Sequence, residues 1–345
     1  MKAIVMSEPG GPEVLKIERI PDPVPAEGEV LIRIEAFGIN HAETYFRSGR
    51  WPGAPAVLGI ECAGTVEVDR TGRLAPGTAV VAFMGGMGRT RNGSYAELVT
   101  VPVTNVVPVT TSLAWTQLVA VPEVYATAWS GLYVNLNLRL GQTVLVRGAT
   151  SAVGQAAVNI AVDGGATVVA TTRNRARAEF LRGLGAAHVL IDDGNLAEQV
   201  RELGLAVDAL LDLVGNSVLR DSLQTVRSRG RVCQVGFLGG QEPVDGFNLI
   251  ADLPTGVQLS FFGSFVLGSD DFPVAEIPVA EMIAKAEAGT YKARPTRVFR
   301  FEEIVEAHRI VEANQAEGKM VVAVRATDSR TSEAVSDVAG ASVRR

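Results

Sequence analysis

The sequence predicts an α/β fold in which a doubly wound parallel sheet, covered by helices on both faces, is joined to a second, mainly β domain. Three observations carry this. Between residues 143 and 236 short, almost wholly apolar runs alternate with segments of helical period. The first of those runs, TVLVRG, enters a turn of small residues and then a helix without a break. Before residue 123 the texture differs, because Val, Ile and Thr dominate and Gly and Pro interrupt, as in GPEVLKIERI, GEVLIRIEAFGIN and GTAVVAF. Apolar strands between helices are the mark of a parallel sheet buried on both faces, whereas short strands broken by turn residues read as antiparallel structure.

In chain order, residues 1–122 form the β-rich domain, and a helical period begins at VPEVYATAWSGLYVNLNL. Strands are expected at 143–148, 167–172, 188–192, 207–214 and 230–236, with helices at 152–163 and 175–184 and in NLAEQVREL and NSVLRDSLQTV. A further strand at 257–263 joins that sheet, and an amphipathic helix follows at 274–289. RPTRVFR, FEEIVEAHRIVEAN and KMVVAV read as material returning to the first domain. The expected division is therefore 1–122 with 291–325, then 123–290, and a small, polar, flexible tail at 326–345.

A chain of 345 residues exceeds what one hydrophobic core serves, which supports two domains. A net charge of −6, with Lys and Arg scattered, gives no basic stripe for nucleic acid or an anionic membrane. No apolar run is long enough for a signal peptide or a membrane span, so a cytoplasmic location is expected. The two cysteines, Cys62 and Cys233, each sit in an apolar strand-like run, which argues against a disulfide and excludes a four-cysteine metal site.

The strongest chemical signal is VLVRGATSAVGQAAVNIA. A strand, a tight turn and a helix N-terminus in direct succession are what a dinucleotide diphosphate requires, since free N–H groups and the helix dipole then face the anion. The three positions usually held by glycine carry Ala149, Ser151 and Gly154. Small side chains still allow close backbone approach, and Ser151 adds a hydroxyl; the alternative is a turn that merely packs helix on strand. At the end of the next strand, where an NAD site supplies an acid, stands TTRNRAR. Thr172, Arg173 and Arg177 suit a ribose phosphate and favour NADP(H), unless these arginines are only a solvated helix start.

Taken together, MKAIVMSEPGGPEVLKIE, GINHAETYFRSGRWP, PAVLGIECAGTVE, GSYAELVTVP, GATSAVG, LDLVGN, FFGSF and GKMVV resemble the medium-chain dehydrogenase/reductase superfamily, and within it the quinone oxidoreductase (zeta-crystallin-like) branch. The resemblance covers about residues 1–325. It implies a Rossmann domain and a GroES-like catalytic domain. Zinc-binding members hold their metal with residues that are here replaced: Asn40 and His41 stand in the region of the first ligand, and Ile60 stands where a histidine belongs. No metal is therefore expected. The resemblance also implies that Asn40, Tyr45 and Thr127 line the cleft, with Asn40 and Tyr45 as catalytic residues and Thr127 binding the cofactor near its nicotinamide. It places Ala149, Thr150, Ser151, Ala152, Val153, Gly154, Val214, Gly215, Gly236, Phe237 and Lys319 at the cofactor, Lys319 on its phosphate side. A tyrosine found in enoyl thioester reductases near the position of Trp51 is absent, and AFMGGMGRTRNGSY reads as a mobile, gating loop.

The expected activity is hydride transfer from NADPH to a small electrophilic acceptor, a quinone or another α,β-unsaturated carbonyl, by a homodimer. A developing oxyanion would be stabilised by the Asn40 amide or protonated by Tyr45, unless Tyr45 only packs. The other readings are an enoyl-thioester reductase and, in a different class, an NADPH-binding sensor or structural protein without turnover.

Overall fold

The computed structural model describes residues 1–325; the tail expected at 326–345 lies outside them. The chain divides into two compact units, one made of Met1–Glu123, Phe265–Gly289 and the residues from Ala293 on, the other of Val124–Ser264 with Thr290–Lys292.

In the second unit six strands form one parallel sheet in the spatial order His188–Ile191, Thr167–Thr172, Thr143–Arg147, Val207–Asp212, Val226–Gln234, Gln258–Phe261. In sequence terms this is 3-2-1-4-5-6, the doubly wound order of dinucleotide-binding folds. The strands are apolar because both faces are covered: Val144, Leu145, Val146, Val169, Leu210 and Val232 are fully buried. Helix Ala152–Asp163 follows the first strand directly, with Ser151 as its N-cap.

The first unit is built on a seven-stranded sheet ordered Arg297–Arg300, Met320–Ala323, Glu29–Ile39, Glu61–Asp69, Ala79–Phe83, Val106–Pro108, with Leu98–Pro102 also paired to Glu29–Ile39. A hairpin of Lys2–Met6 and Leu15–Arg19 closes over it. The expected return of the chain is visible in register, since Met320 pairs with Ile39 and Val321 with Gly38. Helix Ile304–Glu312 packs its apolar side, Ile304, Ala307, Ile310 and Val311, into this core.

Residues 265–289, expected from their sequence to accompany the parallel sheet, group with the first unit. The reason is hydrogen bonding: Asn105 Nδ2 donates to Leu267 O at 3.1 Å, and Glu287 accepts from Thr111 Oγ1 at 2.9 Å and from Ser112 N at 2.8 Å. The glycine-rich segment expected to be a mobile gate is also anchored. Gly86 O accepts from the N–H groups of Arg89, Thr90 and Arg91, Met87 is buried, Arg91 pairs with Glu29, and Arg89 stacks 4.3 Å from the Phe265 ring. Cys62 and Cys233 are buried free thiols. Among the described residues no helix is long and apolar enough to cross a membrane.

Candidate functional site

The carboxyl ends of the parallel strands bring one set of expected residues together. Strands Thr143–Arg147 and Val207–Asp212 are first and fourth in sequence yet adjacent in space, so the turns after them diverge and leave a crevice at the point where the strand order reverses. The turn after the first strand carries Ala149, Thr150, Ser151, Ala152 and Val153; the turn after the fourth carries Val214 and Gly215. Ser151 Oγ accepts from Gly154 N at 3.1 Å and donates to Gly148 O at 2.8 Å, so its hydroxyl caps the helix. The N–H groups of Ala152 and Val153 have no partner within the described chain and point the helix's positive end outward. Gly154 is needed for packing: a Cβ there would stand 2.5 Å from Gly148 O and 2.7 Å from Ala149 Cα, both backbone atoms that cannot yield.

Gly215, at φ 92°, lies against Gly236, whose carbonyl oxygen would be 2.6 Å from an added Cβ. Phe237 follows, partly exposed, with its ring 5.9 Å from that of Phe261. At the end of the second strand Thr172 is buried and its hydroxyl is held in a local turn, accepting from Asn174 N at 3.1 Å. Arg173 is exposed, whereas Arg177 lies 4.1 Å over the ring of Phe180. Thr127 is buried in helix Pro122–Trp129. The turn's free amides, its helix dipole and its small residues fit a diphosphate.

Sequence reasoning missed Arg147. Its fully buried guanidinium makes a bidentate pair with Asp192, 2.8 Å on each arm, and its third nitrogen reaches Ser222 Oγ at 2.9 Å and Asp221 at 2.8 Å. Ser222 in turn donates to Asp212 at 2.6 Å, and the other oxygen of Asp212 accepts from Val214 N and Gly215 N at 2.8 Å each. Burial opposes the charge on Arg147, but the Asp192 hydrogen bonds outweigh it and hold the pKa above the ordinary value. The network fixes the turn that carries Val214 and Gly215. A lone arginine closing the apolar run TVLVR was the available signal.

The first unit holds the remaining expected residues. Asn40 ends strand Glu29–Ile39 and begins helix His41–Arg47. Its backbone N–H donates to Glu43 Oε2 at 2.7 Å, and its Nδ2 donates to Glu61 Oε1 at 3.2 Å and Glu43 Oε1 at 3.3 Å. Its Oδ1 accepts from Lys319 Nζ at 2.6 Å. Both amide protons of Asn40 are thus committed to the carboxyl groups of Glu43 and Glu61, which leaves none for the oxyanion role expected of it. Lys319, expected on a cofactor phosphate, is buried with its ammonium turned to Asn40 and Glu61. Burial raises Glu43 to about 8, against the opposing charge of Lys319. Ile60, beside Glu61, donates its N–H to Glu43 Oε1 at 3.3 Å.

Tyr45 is half-buried on the same helix, its ring 5.0 Å from Trp51 and 6.4 Å from His41. Burial raises its pKa, opposed by Arg50, so the phenol keeps its proton at neutral pH. Burial lowers His41 to about 4 and keeps it neutral. His308 is a core residue: Arg47 Nε donates to its Nδ1 at 3.2 Å, and its Nε2 lies 3.0 Å from the Tyr95 hydroxyl. Among the described residues no group of three or more His, Cys, Asp or Glu side chains converges as a metal site.

Comparison with known proteins accords with this geometry. The model of the alcohol dehydrogenase GroES-like domain matches residues 26–111, and that of the zinc-binding dehydrogenase matches residues 152–280. Human quinone oxidoreductase is 30% identical over 336 residues, spanning 93% of this chain and 97% of the relative. The solved quinone oxidoreductase of Pseudomonas syringae pv. Tomato DC3000 superposes with a TM-score of 0.81 at 26% identity, covering 93% of this chain and 99% of that one. A mycobacterial protein solved in complex with NADPH superposes with a TM-score of 0.77 at 28% identity, covering 94% and 99%. With its strand order and near full-length similarity to these relatives, the chain belongs to the quinone oxidoreductase branch of the medium-chain dehydrogenase/reductase superfamily and is an oxidoreductase.

Proposed function

We propose that this protein is a zinc-independent reductase that uses NADPH to reduce a quinone or another α,β-unsaturated carbonyl acceptor. The observation that carries the reading is the turn at residues 148–154, a helix start with unpartnered amides at the reversal point of a 3-2-1-4-5-6 sheet. When bound there, NADPH supplies the hydride. The Ala152 and Val153 amides hold the diphosphate, Val214, Gly215, Gly236 and Phe237 line the remainder, and Thr127 serves the nicotinamide end. Thr172, Arg173 and Arg177 take the ribose phosphate, with Arg173 the exposed cation of the set. Tyr45 carries the proton that a reduced acceptor needs, because its hydroxyl is protonated at neutral pH. Zinc independence rests on Ile60, which has no ligand atom, and on Asn40, whose side chain is fully engaged.

A second copy of the chain suits the exposed edge strand Gln258–Phe261, where Leu259 and Phe261 are 40% and 54% exposed. We infer a homodimer, which light scattering tests: a monomer at micromolar concentration would remove this part of the reading.

The function is tested with purified protein, NADPH or NADH, and a panel of acceptors. Turnover is expected with NADPH and quinones, faster than with enoyl-CoA. Arg173→Asp should weaken NADPH binding by about tenfold while leaving NADH unchanged, a loss equal to one charge-assisted contact. An unchanged coenzyme preference in that variant, or faster turnover of enoyl-CoA than of any quinone, would overturn the assignment.

A further inference from the structure

The polar cluster beneath the start of helix His41–Arg47 joins residues far apart in sequence: Asn40, Glu43, Glu61 and Lys319. The side chains of Lys319 and Glu61 are 4% and 0% exposed, so this is a buried ion pair, a kind that is costly unless further hydrogen bonds support each charge. Lys319 Nζ also donates to Asn40 Oδ1 at 2.6 Å. Glu61 Oε1 takes Lys319 and Asn40 Nδ2, while Glu61 Oε2 accepts from Glu123 N at 3.2 Å. The fold also makes room for it. Gly38, in the middle of the pairing between Glu29–Ile39 and Met320–Ala323, is the residue whose missing side chain the pair occupies. A Cβ there would stand 2.1 Å from Glu61 Oε1 and 2.8 Å from Lys319 Cε.

We infer that Lys319 is a positioning residue for the reaction proposed above: its ammonium locks the carbonyl oxygen of the Asn40 side chain and, with Glu61, fixes the first turn of the helix that carries Tyr45. The chain of contacts is short. Lys319 orients the Asn40 amide; that amide and the Asn40 backbone N–H hold Glu43; and Glu43 ties the helix to the Ile60 N–H on the neighbouring strand entry. Tyr45 is two residues further along the same helix, so its hydroxyl is only as well placed as that first turn. The resemblance to known reductases implies instead that Lys319 meets the cofactor. The two assignments separate experimentally, because positioning acts on the chemical step and phosphate contact acts on cofactor affinity.

The test uses the full-length protein. Lys319→Met alone strands the buried Glu61 charge and is liable to unfold, so the decisive variant is Lys319→Met with Glu61→Gln, which removes both charges. Gly38→Ala serves as a second variant that displaces the pair without altering charge. With NADPH and a benzoquinone, kcat should fall at least tenfold while the NADPH Kd, read by fluorescence, stays within twofold. Hydrogen exchange of the amides at 41–47 should quicken at least tenfold, with the parallel sheet unchanged. Wild-type kcat in the charge-free double variant would overturn the inference. So would a tenfold rise in NADPH Kd with undisturbed exchange at 41–47. The inference rests on the proposed reductase reading, and the exchange measurement keeps the two apart: if the wild-type protein oxidises no NADPH, the reductase reading falls, whereas the exchange result is obtained without cofactor.

Discussion

In the Rossmann unit a buried arginine, Arg147, is surrounded by Asp192, Asp221 and, through Ser222, Asp212; in the GroES-like unit a buried lysine, Lys319, meets Glu61, Asn40 and, through Asn40, Glu43. The arginine fork has donors in fixed directions, and each of its aspartates also accepts backbone N–H groups: Gly194 for Asp192, Leu196 and Ala197 for Asp221, Val214 and Gly215 for Asp212. That network therefore defines loop geometry. The lysine cluster has two carboxyl groups for one ammonium, and burial keeps a proton on Glu43 well above the usual carboxylate range. Its geometry is coupled to protonation. One fold thus uses a planar cation where shape matters and a point charge beside a buried carboxyl group that keeps its proton.

The largest effect that bears on this contrast is expected from Arg147→Met. It leaves buried aspartates without their cation and should cost about 3–5 kcal/mol, read from urea unfolding. A loss below about 1 kcal/mol would mean that the aspartates find other partners and that the loops do not depend on the fork.

A smaller effect, and one of opposite sign, is expected from Glu43→Gln. The folded state holds the Glu43 proton to about pH 8, and the unfolded chain loses it near 4.5. Between those values the unfolded state binds fewer protons, so this group's contribution to stability declines as pH rises and is fully present only below about 4.5. Glu43→Gln should remove the decline and raise the urea midpoint relative to wild type at alkaline pH but not at acid pH. The His308 proton, which burial and Arg47 hold down to about 3, titrates in both proteins and cancels in that comparison. An equal offset at both pH values would show that Glu43 carries no extra proton.

The smallest effect should come from Asp221→Asn, which keeps an acceptor for one of Leu196 N and Ala197 N, gives up the other, and loses charge toward a guanidinium that Asp192 still holds. About 1 kcal/mol is expected, by the same unfolding measurement.

The Rossmann unit is largely legible in the sequence, because parallel strands buried on both faces read as apolar runs and the strand–turn–helix around Ser151 is local. Even so, helix 175–184 is realised as a short 3-10 turn at Arg175–Arg177 and then a helix at Ala178–Gly183, with Asn174 capping the turn through Ala176 N at 3.0 Å. What was not legible depends on distant partners. Segment 265–289 is amphipathic in either unit, and contacts distant in sequence, such as Asn105 to Leu267 and Thr111 and Ser112 to Glu287, go with its grouping in the first. The closing GKMVV segment shows that Lys319 exists, but its partners lie 279 and 258 residues away, so the expectation of a cofactor contact comes from resemblance alone. Arg147 is hidden for a related reason: a charged residue after an apolar run reads as the strand's exposed end, although here it is fully buried and bonded to Asp192, Asp221 and Ser222.

Strand Met320–Ala323 lies between Glu29–Ile39 and Arg297–Arg300 and so completes the first unit's sheet from its interior. During synthesis the Rossmann unit is nearly whole once Ser264 has emerged, while the unit begun first at the N-terminus waits for almost the last described residues. Asn40, Glu43 and Glu61 remain without their cation until Lys319 arrives. A chain cut short before residue 319 therefore still carries every strand of the parallel sheet, yet lacks both the strand that joins Arg297–Arg300 to Glu29–Ile39 and the cation of the polar cluster.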